Sequence, residues 1–273
     1  MYLVGAWASP RGDGKRCDGY LVLMEPVYSP VIAFARTLFA AEGLRFRITG
    51  AENIPTSGGG VVAINHIGYL DFAYAGLAAR PSGRVIRFMC KDTIWQHPIA
   101  GPLMKGMKHI PVDREAGTAS FREALKALKA GELVGVFPEA TISRSFELKA
   151  FKSGAVRMAQ ASRTPIIPLV VWGSQRVWTK GHPKRLGRTN TPIALSVGKP
   201  IEADRKTPAE VLEQRLRDDM QLLLSHAQSE YPPMRPDELH LLPARLGGTA
   251  PTLEEADLLD AADAVARRQA KGL

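Results

Sequence analysis

GGGVVAINHIGYLDFAYAGLAAR, residues 58–80, changes its periodicity halfway along. Three glycines lead into Val61, Val62, Ala63 and Ile64, a mostly β-branched run of the length of a buried strand. From Asp71 onward the pattern reads as a helix. Between the two sit Asn65, His66 and Gly68, a polar turn at the carboxyl end of the strand. On a regular helix a separation of five sets two side chains well apart around the axis. His66 and Asp71 can therefore meet only if the chain turns between them, and Gly68 permits that turn. A carboxylate on one imidazole nitrogen sets the tautomer and leaves the other nitrogen to act as a general base. The spacing alone carries little weight, since His and Asp fall five apart often by accident.

The strand-then-helix pattern repeats along the chain. Residues 84–91 read as a strand ending at Lys91, 110–112 as a short one ending near Asp113 and Arg114, and 132–137 as one ending at Pro138 and Glu139. Residues 165–172 and 193–198 supply two more. Helical patterns occupy 29–42, 120–131 and 208–228. In 120–131, Ser120 and Glu123 have capping-box spacing and Gly131 is a stop signal. Strands alternating with helices predict an α/β fold with a largely parallel central sheet flanked by helices. His66, Lys91, Arg114 and Glu139 all fall just past strand ends, the edge where open α/β sheets bind ligands.

The chain has 273 residues, 45% hydrophobic and 23% charged, enough for one large domain. We divide it into a loose lead-in (1–19), a main domain (20–231) and a C-terminal arm and helix (232–273). The arm is rich in Pro and Gly over 232–251, and Thr252 and Glu255 then supply a second capping box. Two cysteines, Cys17 and Cys90, build no disulfide framework. The net charge of +9 suggests an anionic partner. Nucleic acid is disfavoured, because no helix-turn-helix, zinc finger or RNP-like motif accompanies the charge. HExxH and paired CxxC patterns are also missing, so no metal site is expected. No stretch has the ~20 uninterrupted apolar residues of a membrane span.

An anionic membrane surface fits better. Between Arg144 and Arg188 lie Lys149, Lys152, Arg157, Arg163, Arg176, Lys180, Lys184 and Arg185, with Glu147 the sole acid. Trp172 and Trp178 are candidates for headgroup contact, although core packing is the commoner fate of a tryptophan on an apolar strand. On residues 29–42, Val31, Phe34, Ala35, Leu38 and Phe39 share a face suited either to the core or to a bilayer.

Five blocks occur in order: NHIGYLD (65–71), IPVDR (110–114), FPEATIS (137–143), FKSGAVRMA (151–159) and TPIIPLVV (164–171). Together they closely resemble the glycerolipid acyltransferase family, including the PlsC-type 1-acylglycerol-3-phosphate acyltransferases, and the third and fourth look actinobacterial in character. The resemblance covers roughly residues 45–200. It implies that His66 is the base for an acceptor hydroxyl and that Asp71 orients it. The donor would be acyl-CoA or acyl carrier protein and the acceptor lysophosphatidic acid, acylated at its free hydroxyl to give phosphatidic acid, with no cofactor. Substrate contacts are implied for Asn65, Lys91, Arg114, Glu139, Ala140, Thr141 and Arg144, and backbone N–H groups near 139–141 are candidate oxyanion donors. The protein would work peripherally at the cytoplasmic face of the cell membrane. Two positions depart from the family pattern. Ala140 replaces a glycine, and Ile142 replaces an arginine, leaving Arg144 as a substitute for phosphate. Another lysolipid or glycolipid acceptor, or a non-catalytic lipid-binding role, therefore stays open.

Overall fold

The computed structural model describes residues 25–113 and 117–270. The lead-in (1–19) and Arg114 lie outside the described residues. Seven strands form one sheet: β1 (Arg45–Thr49), β2 (Gly60–Ile64), β3 (Ile86–Lys91), β4 (Ile110–Val112), β5 (Leu133–Val136), β6 (Ile166–Trp172) and β7 (Pro192–Val197). Their spatial order is β1-β7-β6-β2-β5-β3-β4. β6, β2, β5, β3 and β4 run parallel; β7 pairs antiparallel with β6 and parallel with β1. The largely parallel sheet expected from the alternating pattern is present.

Central strands buried on both faces explain the near-continuous apolar runs. Val61 and Ala63 of β2 join one core layer, under α4 (Gly117–Lys129), α5 (Gly154–Ser162) and α6 (Ala209–Ser229). Val62 and Ile64 join the other, under α1 (Tyr28–Ala41) and α2 (Asp71–Ala78). The period of two along the strand thus builds two cores from one sequence. β1, α5 and the short helix α3 (Ala100–Gly106) were not anticipated.

One further expectation is corrected and two open alternatives are decided. Helix α4 begins at Gly117, so Ser120 is a buried helical residue rather than its cap. Trp172 is 1% exposed and packs edge-on against Tyr231, which removes it from any headgroup layer. The apolar stripe of α1 also splits. Phe39 is buried against Phe46 and Tyr74, whereas Phe34 is 71% exposed and Leu38 is also exposed. Among the described residues no helix is long and apolar enough to cross a membrane.

The C-terminal arm wraps back onto the domain. Leu241 and Ala250 join the core layer around α6. Glu238, 1% exposed, receives Arg176 at 2.7 Å and Arg185 at 2.6 Å. The final helix, α7 (Leu253–Ala270), starts with the expected capping box: Glu255 N–H donates to Thr252 Oγ1, and Thr252 N–H to Glu255 Oε2.

Candidate active site

Parallel pairing of Ala63 with Val136 puts the ends of β2 and β5 side by side. His66 and Glu139 therefore emerge from neighbouring strands at the carboxyl edge of the sheet. Asn65 secures the other flank. Its Oδ1 accepts the Val171 N–H at 2.7 Å and its Nδ2 donates to the Val171 carbonyl at 3.0 Å, so the side chain continues the β2–β6 pairing. The implied substrate contact by Asn65 is not what its geometry serves: it is fully buried, and both amide ends are spent on backbone.

His66 Nδ1 lies 3.0 Å from Asp71 Oδ2. The same oxygen accepts the N–H groups of Ile67 and Gly68, each at 2.8 Å, and Oδ1 accepts the Ser174 hydroxyl at 2.5 Å. Asp71 is the first residue of α2 and is completely buried. These bonds fold the 66–71 segment into a closed turn that brings the His–Asp pair together. A Cβ on Gly68 would come within 2.9 Å of Ser174 Oγ and 3.2 Å of Asp71 Oδ1, so a side chain here would press on the Asp71–Ser174 contact. With Nδ1 directed at a carboxylate, the imidazole proton belongs on Nδ1 and the lone pair on Nε2. The His66 side chain is 20% exposed and lies over the Phe137 ring, centroids 4.1 Å apart.

The backbone of this loop is held from three more positions. His66 N–H donates to Glu139 Oε1 at 2.9 Å, the His66 carbonyl accepts Ser143 N–H at 2.7 Å, and the Ile67 carbonyl accepts the Thr179 hydroxyl at 2.7 Å. Glu139 Oε2 takes the Lys149 N–H at 3.0 Å. Glu139, 3% exposed, is thus a brace between two backbone segments and does not face outward toward an acceptor. Burial pushes its carboxyl up to about 8, against the pull of the Lys149 and His66 N–H groups.

The remaining predicted residues have varied surroundings. Lys91 is exposed at the end of β3. Ile142 is 6% exposed and part of the interior. Ala140 is exposed with φ +60°, the left-handed conformation its family glycine would adopt freely. Its N–H closes a turn on the Phe137 carbonyl at 3.0 Å, which takes it out of the candidate oxyanion donors. Thr141 is half-buried beside it. Arg144 reaches α7, where it meets Asp263 at 2.7 Å and Asp260 at 3.4 Å. Much of the basic stretch is likewise covered: Lys149 and Lys180 also pair with aspartates of α7, and Arg176 and Arg185 with Glu238. Lys184 sits 4.1 Å from the centroid of the Trp178 ring, which in turn packs on Tyr69 of the His66 loop.

Ser174 and Thr179 escaped the sequence reading. For Ser174 the sequence offered only its place just past a strand, because the adjacency of β6 and β2 that brings it to Asp71 is set by the fold. Thr179 had no such signal, because it lies in an irregular segment. Among the described residues no cluster of three or more His, Cys, Asp or Glu side chains is arranged to hold a metal ion.

Comparison with known proteins gives a consistent picture. The Acyltransferase family profile matches residues 45–172. A 1-acyl-sn-glycerol-3-phosphate acyltransferase of Bacillus subtilis is 34% identical over 142 residues, 50% of this chain and 69% of that protein. A chloroplastic enzyme of the same name from Arabidopsis thaliana is 27% identical over 194 residues, 68% of this chain and 53% of that one. The chain therefore spans about half of the plant relative. In three dimensions the chain is similar to the crystal structure of PlsC, the 1-acyl-sn-glycerophosphate acyltransferase of Thermotoga maritima, with a TM-score of 0.59 and 19% identity over 77% of this chain and 92% of that one. That likeness bears on the fold.

Proposed function

This chain belongs to the acyltransferase family, and from that premise we propose that it moves a fatty acyl group from a thioester donor to the free hydroxyl of lysophosphatidic acid, giving phosphatidic acid. One observation carries the reading. A buried carboxylate orients the ring of His66 while its side chain stays partly open to solvent.

In the proposed reaction, Nε2 of His66 takes the proton of the acceptor hydroxyl as its oxygen attacks the thioester carbonyl. Asp71 stabilises the imidazolium that forms. The tetrahedral intermediate collapses with cleavage of the carbon–sulfur bond, and His66 returns the proton to the departing thiolate. The acceptor oxygen does the work of a nucleophilic side chain, so no acyl-enzyme is formed. The donor is acyl-CoA or acyl carrier protein. No cofactor enters the scheme. The protein binds peripherally at the cytoplasmic face of the membrane, with exposed Phe34 and Leu38 of α1 as apolar contacts.

A second acceptor class is favoured by one observation. Ile142, where the resemblance leads one to expect an arginine, is buried and offers no cation. Another lysophospholipid or a glycolipid would not need that contact. Acyl transfer by purified protein, compared for lysophosphatidic acid, other lysolipids and a phosphate-free monoacylglycerol, tests both readings. Preference for lysophosphatidic acid supports the first. Equal use of the phosphate-free acceptor overturns it, and no transfer to any acceptor overturns catalysis altogether.

A further inference from the structure

The cations Arg144, Lys149 and Lys180 converge on one face of α7, and each meets two of its aspartates. Arg144 pairs with Asp260 and Asp263, Lys149 with Asp257 at 3.0 Å and Asp260 at 2.5 Å, and Lys180 with Asp260 at 2.5 Å and Asp263 at 2.8 Å. The three side chains are between 10% and 17% exposed beneath the helix. Arg144 Nε, buried, is the atom that faces Asp260 at 3.4 Å, and it does so without forming a hydrogen bond.

Helix α7 has little else to hold it. Ala256 is its one buried residue among those described, while Leu258 and Val265 on its outer side are 68% and 54% exposed. The arm before it is anchored differently, through buried Glu238, Leu241 and Ala250. Backbone bonds from Thr249 to Leu239 and from Ala250 to Leu242 carry that anchoring up to the start of the helix. The fixed part of the arm thus ends where the ion-paired part begins.

The cations are also wired to the His66 loop. Arg144 follows Ser143, whose N–H holds the His66 carbonyl. Lys180 follows Thr179, whose hydroxyl holds the Ile67 carbonyl. Lys149 N–H shares Glu139 with His66 N–H.

We propose that Arg144, Lys149 and Lys180 form an anion-binding cluster behind the catalytic loop, that α7 occupies it as an acidic latch, and that a bilayer surface bearing anionic phosphate headgroups displaces the helix. A surface fits this role better than a soluble phosphate. The aspartates are tethered, so each faces a competitor at an effective concentration of order millimolar, and a single small anion replaces them one at a time. An array of headgroups engages all three cations together and adds its own surface potential. The inference rests on the proposed lipid acceptor for the choice of a membrane as partner; the latch itself stands on the ion pairs.

Hydrogen–deuterium exchange of the α7 amides in the full chain provides the test. The protein is mixed with phosphatidylcholine vesicles, with vesicles that also contain phosphatidylglycerol, or with soluble glycerol phosphate, all at one ionic strength. Phosphatidylglycerol vesicles are expected to speed α7 exchange roughly tenfold or more, a factor equivalent to ~1.4 kcal/mol, while the core strands stay protected and the other two additions change little. The triple variant Asp257→Asn, Asp260→Asn, Asp263→Asn should exchange fast in α7 without vesicles and bind anionic vesicles at higher salt than the parent. Lys149→Gln with Lys180→Gln should loosen α7 equally but weaken vesicle binding. This opposite response separates displacement from simple loss of a structural contact, and unchanged protection of β5 and β6 certifies that each variant is folded. The proposal falls if vesicles bind and α7 stays protected, if anionic vesicles do not bind, if soluble glycerol phosphate opens α7 as well as vesicles do, or if both variants shift vesicle binding the same way. Acyl transfer is not part of the readout, so a protein that opens α7 but transfers no acyl group refutes the proposed function and leaves the latch standing.

Discussion

Ser174 donates its hydroxyl to Asp71 Oδ1 at 2.5 Å, joining the end of β6 to the first residue of α2 across 103 positions of sequence. The bond leaves Asp71 Oδ2 for His66, Ile67 and Gly68. Ser174→Ala leaves Oδ1 buried without that donor, a loss of ~1–3 kcal/mol. We expect a lower melting temperature and a fall in kcat that exceeds any change in KM, because the hydroxyl positions the pair and touches no substrate. A variant with normal kcat removes Ser174 from the positioning set.

His66→Ala should cost at least the 10²–10⁴-fold typical of general-base assistance while leaving the melting temperature nearly unchanged, since the ring is partly exposed. Asp71→Asn should be severe for both activity and stability. An amide presents one acceptor oxygen where the carboxylate takes four donors. Steady-state acyl transfer alongside thermal unfolding separates the two patterns, and a well-folded His66→Ala protein with near-normal turnover refutes the mechanism.

Glu139→Gln tests the brace. Above the value of about 8 to which burial raises this carboxyl, each of its oxygens accepts one backbone N–H, whereas glutamine turns an N–H₂ toward either His66 or Lys149. A buried donor then loses its acceptor at a cost of ~1–3 kcal/mol. We expect lower stability and a reduced kcat, with the KM for the acceptor changed little. A selective rise in acceptor KM, with kcat and stability intact, instead restores the substrate contact implied by the family resemblance.

Ala140→Gly should stabilise the protein. Alanine at φ +60° carries a steric cost of roughly 1 kcal/mol that glycine does not. The side chain is exposed, so little packing is lost in exchange. The greater backbone freedom of glycine in the unfolded chain offsets part of the gain. Denaturant unfolding should therefore show a small increase in midpoint with an unchanged slope, and a clear decrease counts against strain at this turn.

The pH response of the latch has a definite sign. Hydrogen bonds from Lys180 and Arg144 hold the Asp263 carboxyl down at about 2, and Lys149 and Lys180 hold Asp260 below its usual range despite its burial. Both folded values lie below the unfolded value of 3.8. The docking they contribute is thus complete above pH ~4 and fades as pH falls toward 2. His182, near Arg144, is pushed below the usual imidazole range by burial, with His240 and Arg144 adding to the effect, so it does not gain charge early as pH falls. A spin label at Leu258→Cys should report an immobile helix from pH 7 down to ~4. Release between pH 7 and 5 contradicts this assignment.

What was legible in the sequence was local. Short β-branched runs, helical stripes and the Thr252–Glu255 box depend on neighbours within one or two turns, and these predicted the alternating elements and the parallel sheet. The His66–Asp71 pair was legible through the ordered blocks that resemble the acyltransferase family; glycine at 68 and a helix start at 71 allowed the pairing without indicating it. Tertiary structure decided which polar groups face inward. Asn65 and Glu139 have the composition of ligand contacts, yet strand adjacency places unpaired backbone groups beside them and their side chains satisfy those groups instead. Ser174 joined the site for the same reason. The basic stretch 144–188 was correctly seen as a concentration of charge, but its neutralisation by Glu238, Asp257, Asp260 and Asp263 depends on where an arm more than fifty residues downstream folds back. Charge content belongs to the chain, whereas charge pairing depends on distances that only the folded structure sets.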